Sequence, residues 1–519
     1  MRKAKRIFSA LLCATLLTAT FAGCEPLDLS IDPSTDTSVT EPIKGIDAIG
    51  YTIPYLRTDS LNPFVCETET NRNIAMLIFD PLFNVNNDFS TEPVIAESYT
   101  LSGRKLSVKI KTNLTFSDGS VLTSQDIVYS FTLAKNSKFY SPLLNNFSTA
   151  GADGNGNVVF TLKQVDPNAV ANLTFPIIKK DSDKNNNSDG NLSFPIGSGR
   201  YSIVQEKDSR KLVVNKERLG SYHPQYNQIG LKDITETSSI TTLFDLNQID
   251  FYTENFSEGS FKRYTGASTK FDTTNFVYLG VNSQSNKLKD SMVRRAISLL
   301  VDRSNISTVA FSDFAQPTAT PFHPAYHALK GCSVMPVKFN DDAAIDLLER
   351  AGFDKVSDYG IRYSAYTGKL ELRLIVNKEN SFKLAMARNI QQTLAKADII
   401  VVIKEYSYKN YVNAVKEGAY DLYIGEVMLP NSFYLNGFFT ENGGYSFGID
   451  PACKSATDYN LFLEGKKTMQ EFLDTFTDEL PFIPVLYRQG ITVKGPRILT
   501  ESKTIISDYF YNVNDWTVE

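Results

Sequence analysis

The chain has 519 residues, of which 42% are hydrophobic and 12% aromatic, enough for two or three domains with hydrophobic cores. Its 53 Lys and Arg residues are outnumbered by 58 Asp and Glu residues, so its net charge is -5. Residues 1–23 hold four of the basic residues and no acidic one, and without them the net charge is -9. Such an acidic balance argues against nucleic acid as a partner.

The N-terminal segment predicts export and anchoring. Residues 1–23 have the pattern of a signal peptide, because basic residues precede an apolar run, 7–21, that is shorter than the roughly 20 residues needed to span a bilayer. Cys24 follows two small residues and resembles the lipidated cysteine of a bacterial lipobox, although Phe21 stands where leucine is usual. The alternative is an ordinary secretory signal with an incidental cysteine. Residues 24–47 predict a disordered tether that links the folded body to a membrane.

The first half of the folded body predicts short strands and a few helices. Alternating apolar and polar residues at 105–111 (KLSVKIK) and 157–163 (NVVFTLK) predict strands. The segment 116–131 (FSDGSVLTSQDIVYSF) predicts a turn followed by a helix, with Thr123 as its N-cap and Asp126 at the capping-box position.

From about residue 276 the pattern changes to alternating helices and strands. Helices are predicted at 290–303, 341–353, 381–397 and 408–418, and strands at 370–376, 399–403 and 419–425. The second helix is predicted to start on an aspartate cap and to stop at Gly352. This order predicts an α/β lobe with helices packed on a largely parallel sheet. Ligands of such sheets bind at the carboxyl ends of strands, here after Gly425.

Neither a metal site nor a disulfide framework is expected. Residues 181–191 imitate the first ligand positions of a calcium loop, but the later glycine and glutamate are missing, so a surface loop is the better interpretation. His323 and His327 lack an evident third metal ligand. Cys66, Cys332 and Cys453 are odd in number and widely spaced, which favours free thiols while leaving one bridge open.

Eight short motifs together resemble family 5 of the bacterial extracellular solute-binding proteins, the oligopeptide-, dipeptide- and nickel-binding lipoproteins of ABC transporters. They stand in family order: SLNPF (60–64), LIFDPLF (77–83), EPVIAESY (92–99), FSDGSVLTSQDIVYSF (116–131), PIGSGRY (195–201), VRRAISLLVDR (293–303), AIDLLERAGF (344–353) and AYDLYIG (419–425). Each motif alone is weak, and the ordered set covers nearly all of the folded body.

The resemblance implies an α/β fold, a two-lobed clamp of the type II periplasmic-binding-protein kind with an extra inserted subdomain in the N-terminal lobe. Carried over to this chain, lobe I comprises 48–80, 190–275 and 485–519, the inserted subdomain 81–189, and lobe II 276–484. A peptide or small solute would be enclosed between the lobes and delivered to the permease subunits of an ABC transporter. We expect a monomer.

The resemblance also locates the binding site of peptide-binding members, in which an aspartate after the last strand of the motif pairs with the peptide's amino group. In this chain that position falls near Pro430 or Asn431, so the carboxylate is missing. Glu426 could supply the charge from a few residues earlier. An uncharged or capped ligand, with Glu426 as a solvent-exposed acid, is the alternative.

Further candidates for ligand contact follow from their positions in the same pattern. They are Thr68, Thr70, Tyr278, Asn282, Asn431, Phe433, Tyr434 and Tyr445. The alternative for the threonines is a helix N-cap, and for the aromatic residues it is core packing.

The function predicted from the sequence is ligand capture for import. Nucleophile-elbow, zinc-protease and phosphate-loop motifs are absent from the sequence, so we expect neither an enzyme nor a cofactor. Two alternatives stay open. One is a secreted hydrolase with a carboxylate pair, and the other is a peptide-sensing lipoprotein without transport.

Overall fold

The structure is a computed structural model that describes residues 45–184, 194–206, 209–218, 224–255, 265–335 and 338–519. The predicted signal peptide, Cys24 and all but the last three residues of the predicted tether lie outside this part of the chain. So does the calcium-loop-like segment from residue 185 onward. In the described ranges, none of the helices combines the length and the apolar character that crossing a bilayer requires.

The described elements up to residue 281 are mostly strands. In chain order they are β1 (Ile46–Leu56), α1 (Glu69–Ile78), β2 (Phe83–Val85), β3 (Thr91–Pro93), β4 (Ala96–Ser102), β5 (Lys105–Ile110), α2 (Ser124–Asn136), β6 (Phe147–Ala152), β7 (Val158–Leu162), β8 (Tyr201–Glu206), β9 (Ser209–Val214), β10 (Tyr226–Ile234), α3 (Ile240–Asp245), β11 (Phe251–Asn255) and β12 (Ala267–Val281).

Beyond residue 281 helices and strands alternate. The elements are α4 (Ser291–Leu300), α5 (Arg303–Phe311), β13 (Ala315–Pro317), α6 (Asp341–Arg350), β14 (Lys355–Val356), β15 (Arg362–Ser364), β16 (Gly368–Lys369), β17 (Glu371–Asn377), α7 (Ser381–Leu394), β18 (Ile400–Tyr406), α8 (Tyr408–Lys416), β19 (Leu422–Met428), α9 (Asn436–Phe439), α10 (Lys454–Leu463), α11 (Met469–Glu479) and β20 (Phe482–Lys494).

Strands β1, β10, β9 and β8 form a four-stranded sheet in which β1 runs parallel to β10. The C-terminal tail packs against the same core. The ring of Trp516 lies 5.2 Å from that of Tyr51 in β1 and 4.9 Å from that of Phe251 in β11. Aromatic rings at these separations attract each other beyond their burial. The beginning and the end of the described chain therefore share one hydrophobic core.

A second four-stranded sheet, in the order β4-β5-β7-β6, lies within the predicted insert and is antiparallel throughout. The strands predicted at 105–111 and 157–163 are confirmed as β5 and β7. Helix α2 begins with the predicted capping box, in which Asp126 Oδ2 accepts a hydrogen bond from the Thr123 N–H at 2.8 Å. Such a box satisfies backbone donors that the first helical turn leaves unpaired.

The largest sheet has seven strands, six of them in the order β11-β20-β12-β19-β17-β18, with β13 also pairing with β20. Strands β19, β17 and β18 are parallel to one another, whereas β12 and β20 pair antiparallel with their neighbours. The sheet is therefore mixed, less parallel than the sequence predicted. The predicted domain boundaries at residues 276 and 485 fall inside β12 and β20, and the domain division itself stays a prediction.

The ladder between β12 and β20 is irregular at two places, between Asp272 and Phe276 and between Val277 and Tyr278. Asp272 pairs with Gln489 and Phe276 with Tyr487, so three residues of β12 face a single residue, Arg488. Extra residues of this kind form a bulge, which bends a strand and raises its local twist. Thr273 is held there by a hydrogen bond from its hydroxyl to the Arg488 carbonyl at 2.6 Å.

The start of helix α6 differs from its prediction. Its N-cap is Asn340, whose side-chain oxygen accepts a hydrogen bond from the Ala343 N–H at 3.0 Å. The prediction of an aspartate cap is wrong because Asp341 and Asp342 already lie in the first turn. Their negative charges interact favourably there with the positive end of the helix dipole. The predicted stop at Gly352 is confirmed, since its φ of 82° is a left-handed conformation that glycine adopts readily.

Candidate ligand-binding site

A cavity of about 600 Å³ lies between α1, the bulge of β12 and the C-terminal tail. Its walls combine segments that the sequence assigned to lobe I, the insert and lobe II: residues of 69–81, 92–95, 111–115, 139–143, 198–200, 272–275, 428–431 and 506–514. Sites for small molecules commonly enclose roughly 300 to 1,000 Å³. The cavity therefore has the size of a site for a small solute or a short peptide, and we refer to it below as the cavity.

Helix α1 presents one face to the cavity. Glu69, Arg72, Asn73 and Met76 all line it, and their spacing of three, four and seven residues places them on one stripe of a helix. On the opposite side, Ile74 and Leu77 are buried in the hydrophobic core. The helix thus holds two ionisable groups and an amide against the enclosed space.

Most buried charges of the cavity wall are already paired. One terminal nitrogen of the Arg200 guanidinium contacts both carboxylate oxygens of Asp508, at 2.8 and 3.0 Å, and the other donates to the Phe510 carbonyl at 2.7 Å. Arg218 forms an ion pair with Asp80. Buried charges that lack a partner are costly, so these pairs fix the wall in place without a ligand.

Glu69 and Arg72 differ from these pairs. Neither takes part in a salt bridge within the described ranges. The Arg72 guanidinium donates to the Glu67 carbonyl at 2.7 Å and lies 4.3 Å from the centre of the Phe139 ring, a cation-π contact. Burial raises the pKa of Glu69 to about 7; Arg72 opposes this rise and Glu254 adds to it.

Next to the cavity, residues 164–174 of the insert meet residues 431–436, and we call this contact the seam. Asn172 and Ser432 exchange two hydrogen bonds, from the Asn172 amide nitrogen to Ser432 Oγ at 3.0 Å and from the Ser432 N–H to Asn172 Oδ1 at 3.2 Å. The side chain of Asn436 donates to Gln164 Oε1 at 2.6 Å. The seam therefore joins two segments far apart in sequence through hydrogen bonds between their polar side chains.

A buried aromatic side chain, that of Phe89, packs beneath the seam. Phe89, at the tip of the β2–β3 hairpin, is fully buried. Its ring lies 4.7 Å from that of Phe433 and 4.9 Å from the imidazole of His323. Both Phe89 and Phe433 have positive φ, 61° and 54°, which is unfavourable for bulky residues. The packing of the two rings must compensate for this backbone strain.

One acid is buried at the seam. Asp166 is 2% exposed, and its Oδ1 accepts a hydrogen bond from the Asn168 N–H at 3.0 Å. Burial raises its pKa to about 7, an effect that the hydroxyl of Ser432 and the Asn168 N–H only partly oppose. The carboxyl group therefore changes its charge near neutral pH.

The structure places Glu426 outside the cavity, in a cluster of charges. Its carboxylate lies 2.8 Å from Lys383 Nζ and 2.7 Å from a guanidinium nitrogen of Arg488. Burial acts to raise the pKa of Glu426, but these two cations outweigh it and the pKa is lowered overall. The carboxylate is neither a solvent-exposed acid nor free to receive a ligand amine without breaking both ion pairs.

Asn431 is the one predicted site residue found in the wall of the cavity. It also belongs to the seam, since its side-chain nitrogen donates to the Ala171 carbonyl at 3.1 Å. Asn431 thus stands where the cavity and the seam meet.

The other predicted contact residues lie away from the cavity. Thr68 is engaged by Asp59, which accepts from its hydroxyl at 2.5 Å, and Thr70 lines a small void beside Tyr252. Tyr278 is buried in the core with its hydroxyl 3.3 Å from that of Tyr423.

The remaining predicted contacts serve loops and the seam. Asn282 donates to the Tyr420 carbonyl at 3.1 Å. Tyr434 donates to Gln164 at 3.3 Å, and Tyr445 packs on Phe438 with 5.5 Å between the rings. Together with Phe433 beneath the seam, these aromatic residues form packing contacts rather than cavity wall.

The two histidines considered for metal binding have different surroundings. His323 is fully buried between Phe89 and Tyr487, whereas the His327 N–H donates to the Asp88 carbonyl at 2.9 Å. Across the described ranges, three or more His, Cys, Asp or Glu side chains do not converge in a metal-binding group. The three cysteines there are free thiols, and burial raises the pKa of Cys66 to about 12.

Sequence reasoning missed Glu69 and Arg72, although they lie in the same segment as the threonines it selected. The signal was available, because the helical spacing of Glu69, Arg72 and Met76 predicts one shared face. Phe89 and Asn172 had no comparable signal. Their partners are hundreds of residues away, and nothing in the local pattern points to them.

A mixed α/β fold that encloses a polar cavity between segments from distant parts of the chain has the features of a ligand-binding protein. The comparison with known families gives the particular class. Residues 90–446 match the family described as bacterial extracellular solute-binding proteins, family 5, and the chain belongs to this family.

Individual relatives agree with this assignment. The chain is 22% identical to the oligopeptide-binding protein AppA of Bacillus subtilis over 424 residues, 77% of this chain and 76% of AppA. It is 24% identical to the periplasmic murein peptide-binding protein MppA of Escherichia coli, covering 72% of this chain and 75% of MppA. These relatives are binding proteins, not enzymes.

A solved structure described as a nickel ABC transporter from Bacillus halodurans shares the fold. It superimposes with a TM-score of 0.73 at 18% identity, covering 91% of this chain and 100% of that one. The expected α/β two-lobed clamp is thereby confirmed.

Proposed function

We propose that this chain is the membrane-anchored, extracellular binding component of an ABC importer, a monomer that captures peptides or related small solutes and delivers them to permease subunits. The observation that carries the proposal is the cavity, whose wall draws on the insert, on α1 and on residues 428–431 at the same time. A ligand that contacts several separate segments favours the arrangement in which they lie together.

Two lines of support favour peptides. The relatives AppA and MppA are named for oligopeptide and murein peptide binding. The cavity wall also offers amides and charged groups, the partners that a peptide's backbone and termini require. We further propose that Asn431 contacts the ligand, since it lines the cavity beside the seam.

Mass spectrometry of material released on denaturing the purified protein tests the capture of a solute. We expect peptides or similar solutes in stoichiometric amount. Uptake of those compounds should fall when the gene is deleted. Normal uptake in the deletion strain would instead favour a peptide sensor, and turnover of the compounds by the purified protein would favour a hydrolase.

Anchoring is tested separately through Cys24. The substitution Cys24→Ala should move the protein from the membrane fraction to the soluble extracellular fraction, because one lipid-bearing residue holds the chain. Cys13→Ala, in the apolar run of the signal, is the matched control and should leave the protein anchored. Retention of the Cys24→Ala variant in the membrane fraction would contradict a lipid anchor.

A further inference from the structure

The cavity contains a carboxylate whose ionic partner is missing. Five acidic residues line it: Glu69, Asp80, Glu92, Asp272 and Asp508. Asp80 and Asp508 are paired with arginines, as described above. The Asp272 carboxylate accepts from Gln489 at 2.8 Å and lies 3.6 Å from the His323 imidazole, and Glu92 is exposed at the rim. Glu69 is thus the half-buried acid of the wall that has neither a salt bridge nor a cation in contact among the described residues.

Four groups of the described residues lie around Glu69. Arg72 lies on the same helix but is directed to the Glu67 carbonyl and the Phe139 ring. Glu254 and the Asn255 N–H approach from β11. Tyr509 approaches from the C-terminal tail, where its ring packs 4.4 Å from that of Phe271, and the Glu69 carboxylate contributes to raising the Tyr509 pKa.

A second, independent feature points to a donor-rich ligand at the same corner. The side-chain oxygen of Asn255 is buried and, within the described parts of the chain, has no hydrogen-bond partner. The side-chain oxygen of Asn514, also in the cavity wall, is in the same state. Buried polar atoms are rarely left unsatisfied, and an amide oxygen can only accept. A ligand that satisfies these two oxygens therefore brings N–H or O–H donors.

We propose that Glu69 receives a primary ammonium group of the bound ligand, with Asn255 Oδ1 as a second acceptor. This inference rests on the proposed function and deepens it. It relocates the cation-binding acid from β19, where Glu426 is occupied by Lys383 and Arg488, to the first turn of α1. An ammonium carries three donors, which suits a carboxylate and an amide oxygen that line the same cavity.

The raised pKa of Glu69 implies that binding of an ammonium group releases a proton. With its raised pKa, Glu69 holds a proton in part of the molecules at neutral pH before the ligand arrives. An ammonium bound beside it favours the carboxylate form, so that proton passes to solvent on binding. Affinity for an amine-bearing ligand should therefore increase as pH rises from about 6 to 7, as Glu69 loses its proton. Above that range the α-amino group of a peptide, with a pKa of about 7.7 to 8.0, begins to lose its own proton.

The test uses the full mature chain, freed of ligand, and two probe mixtures. One is a library of random tripeptides, and the other is the same library after acetylation of all amino groups. Peptides retained by the protein are identified by mass spectrometry, and one retained peptide is titrated calorimetrically in two buffers to count the protons released. The variants are Glu69→Gln and, as a matched control, Glu67→Gln, which removes an exposed acid two residues earlier outside the cavity.

We expect the wild type and Glu67→Gln to retain the free-amine library selectively and to release protons near pH 7. Glu69→Gln should lose the selectivity, weaken binding by about tenfold or more, and release no proton. Equal retention of both libraries, or selectivity that survives in Glu69→Gln, would overturn the role of Glu69 while leaving peptide capture intact. Retention of neither library would overturn the peptide function together with this inference.

Discussion

The cavity and the seam are neighbours, but their polar groups are paired to different degrees. In the seam, Asn172 and Ser432 exchange two hydrogen bonds and Asn436 donates to Gln164, although Asp166 and Asn436 each keep one buried oxygen without a partner among the described residues. In the cavity wall, buried oxygens of Ser198, Asn255 and Asn514 have no partner among the described residues. The seam is thus held together by its own hydrogen bonds, whereas the unpartnered oxygens of Ser198, Asn255 and Asn514 belong to residues that line the cavity. Stability should be sensitive to substitutions in the seam, and affinity to substitutions in the cavity.

The largest effect is expected for Phe89→Ala. Removing a fully buried phenylalanine leaves a void among Phe433, His323 and Tyr326, and such deletions cost about 3 to 5 kcal/mol. Urea denaturation of the ligand-free protein measures the loss. Phe139→Leu, in the cavity wall, is the comparator and should cost much less. Equal losses in the two variants would remove the distinction between the two regions.

The second effect depends on pH and comes from Asp166. Its folded pKa of about 7 lies above the 3.8 of an unperturbed aspartic acid, so the folded state binds a proton more tightly than the unfolded state. Stability from this group is therefore present at low pH and is lost as pH rises toward 7. Between pH 5 and 8 the wild type should lose about 2 to 3 kcal/mol through Asp166.

The variant Asp166→Asn isolates this contribution. An amide keeps the shape of the side chain and an acceptor for the Asn168 N–H but does not ionise. Its urea midpoint at pH 8 should exceed that of the wild type, and the difference should shrink toward pH 5. If the difference in stability between the wild type and Asp166→Asn were the same at pH 5 and at pH 8, this carboxyl group would not be buried in solution.

A smaller effect is expected from the paired amides of the seam. Asn172→Ala and Ser432→Ala each leave a buried partner unsatisfied, at a cost of about 1 to 3 kcal/mol. In the double variant the two losses should overlap, because the second substitution removes the group that the first left unpaired. Additive losses in the double-mutant cycle would indicate that the two side chains do not interact.

The smallest effect sharpens the border between the regions. Tyr434→Phe removes only the hydroxyl that donates to Gln164, and that hydroxyl lies on the partly exposed side of the seam. We expect a loss of about 0.5 to 1.5 kcal/mol in stability and an unchanged ligand affinity. A change in affinity larger than the change in stability would place Tyr434 in the binding site after all.

The sequence was informative wherever local periodicity decides the structure. The alternation at 105–111, the capping box of Thr123 and the helix over α7 are set by residues within one element, and they were predicted correctly. Ordered motifs then gave the family and the clamp. The antiparallel course of β20 through the large sheet was not predictable, because its pairing with β12 joins residues about two hundred positions apart.

The binding site was harder for the same reason. Glu426 has the charge and the position of a ligand-binding acid, and only the tertiary contacts of Lys383 and Arg488 show that it is occupied. The Thr68 hydroxyl has the chemistry to donate to a ligand, but it already donates a hydrogen bond to Asp59. A single sequence shows which side chains have the chemistry to bind a ligand. The fold decides which of them are already paired with other residues.

The bulge of β12 gives the molecule a mechanical property. Strands β12 and β20 both continue across the predicted lobe boundary, and a paired ribbon of two strands resists bending wherever its rungs are intact. Between Asp272 and Phe276 the regular pairing is lost, and a second shift follows between Val277 and Tyr278, so we expect the ribbon to bend most easily along this stretch. Residues 272–275 also form part of the cavity wall. A solute in the cavity would contact this stretch, and we expect it to reduce the bending of the two strands there.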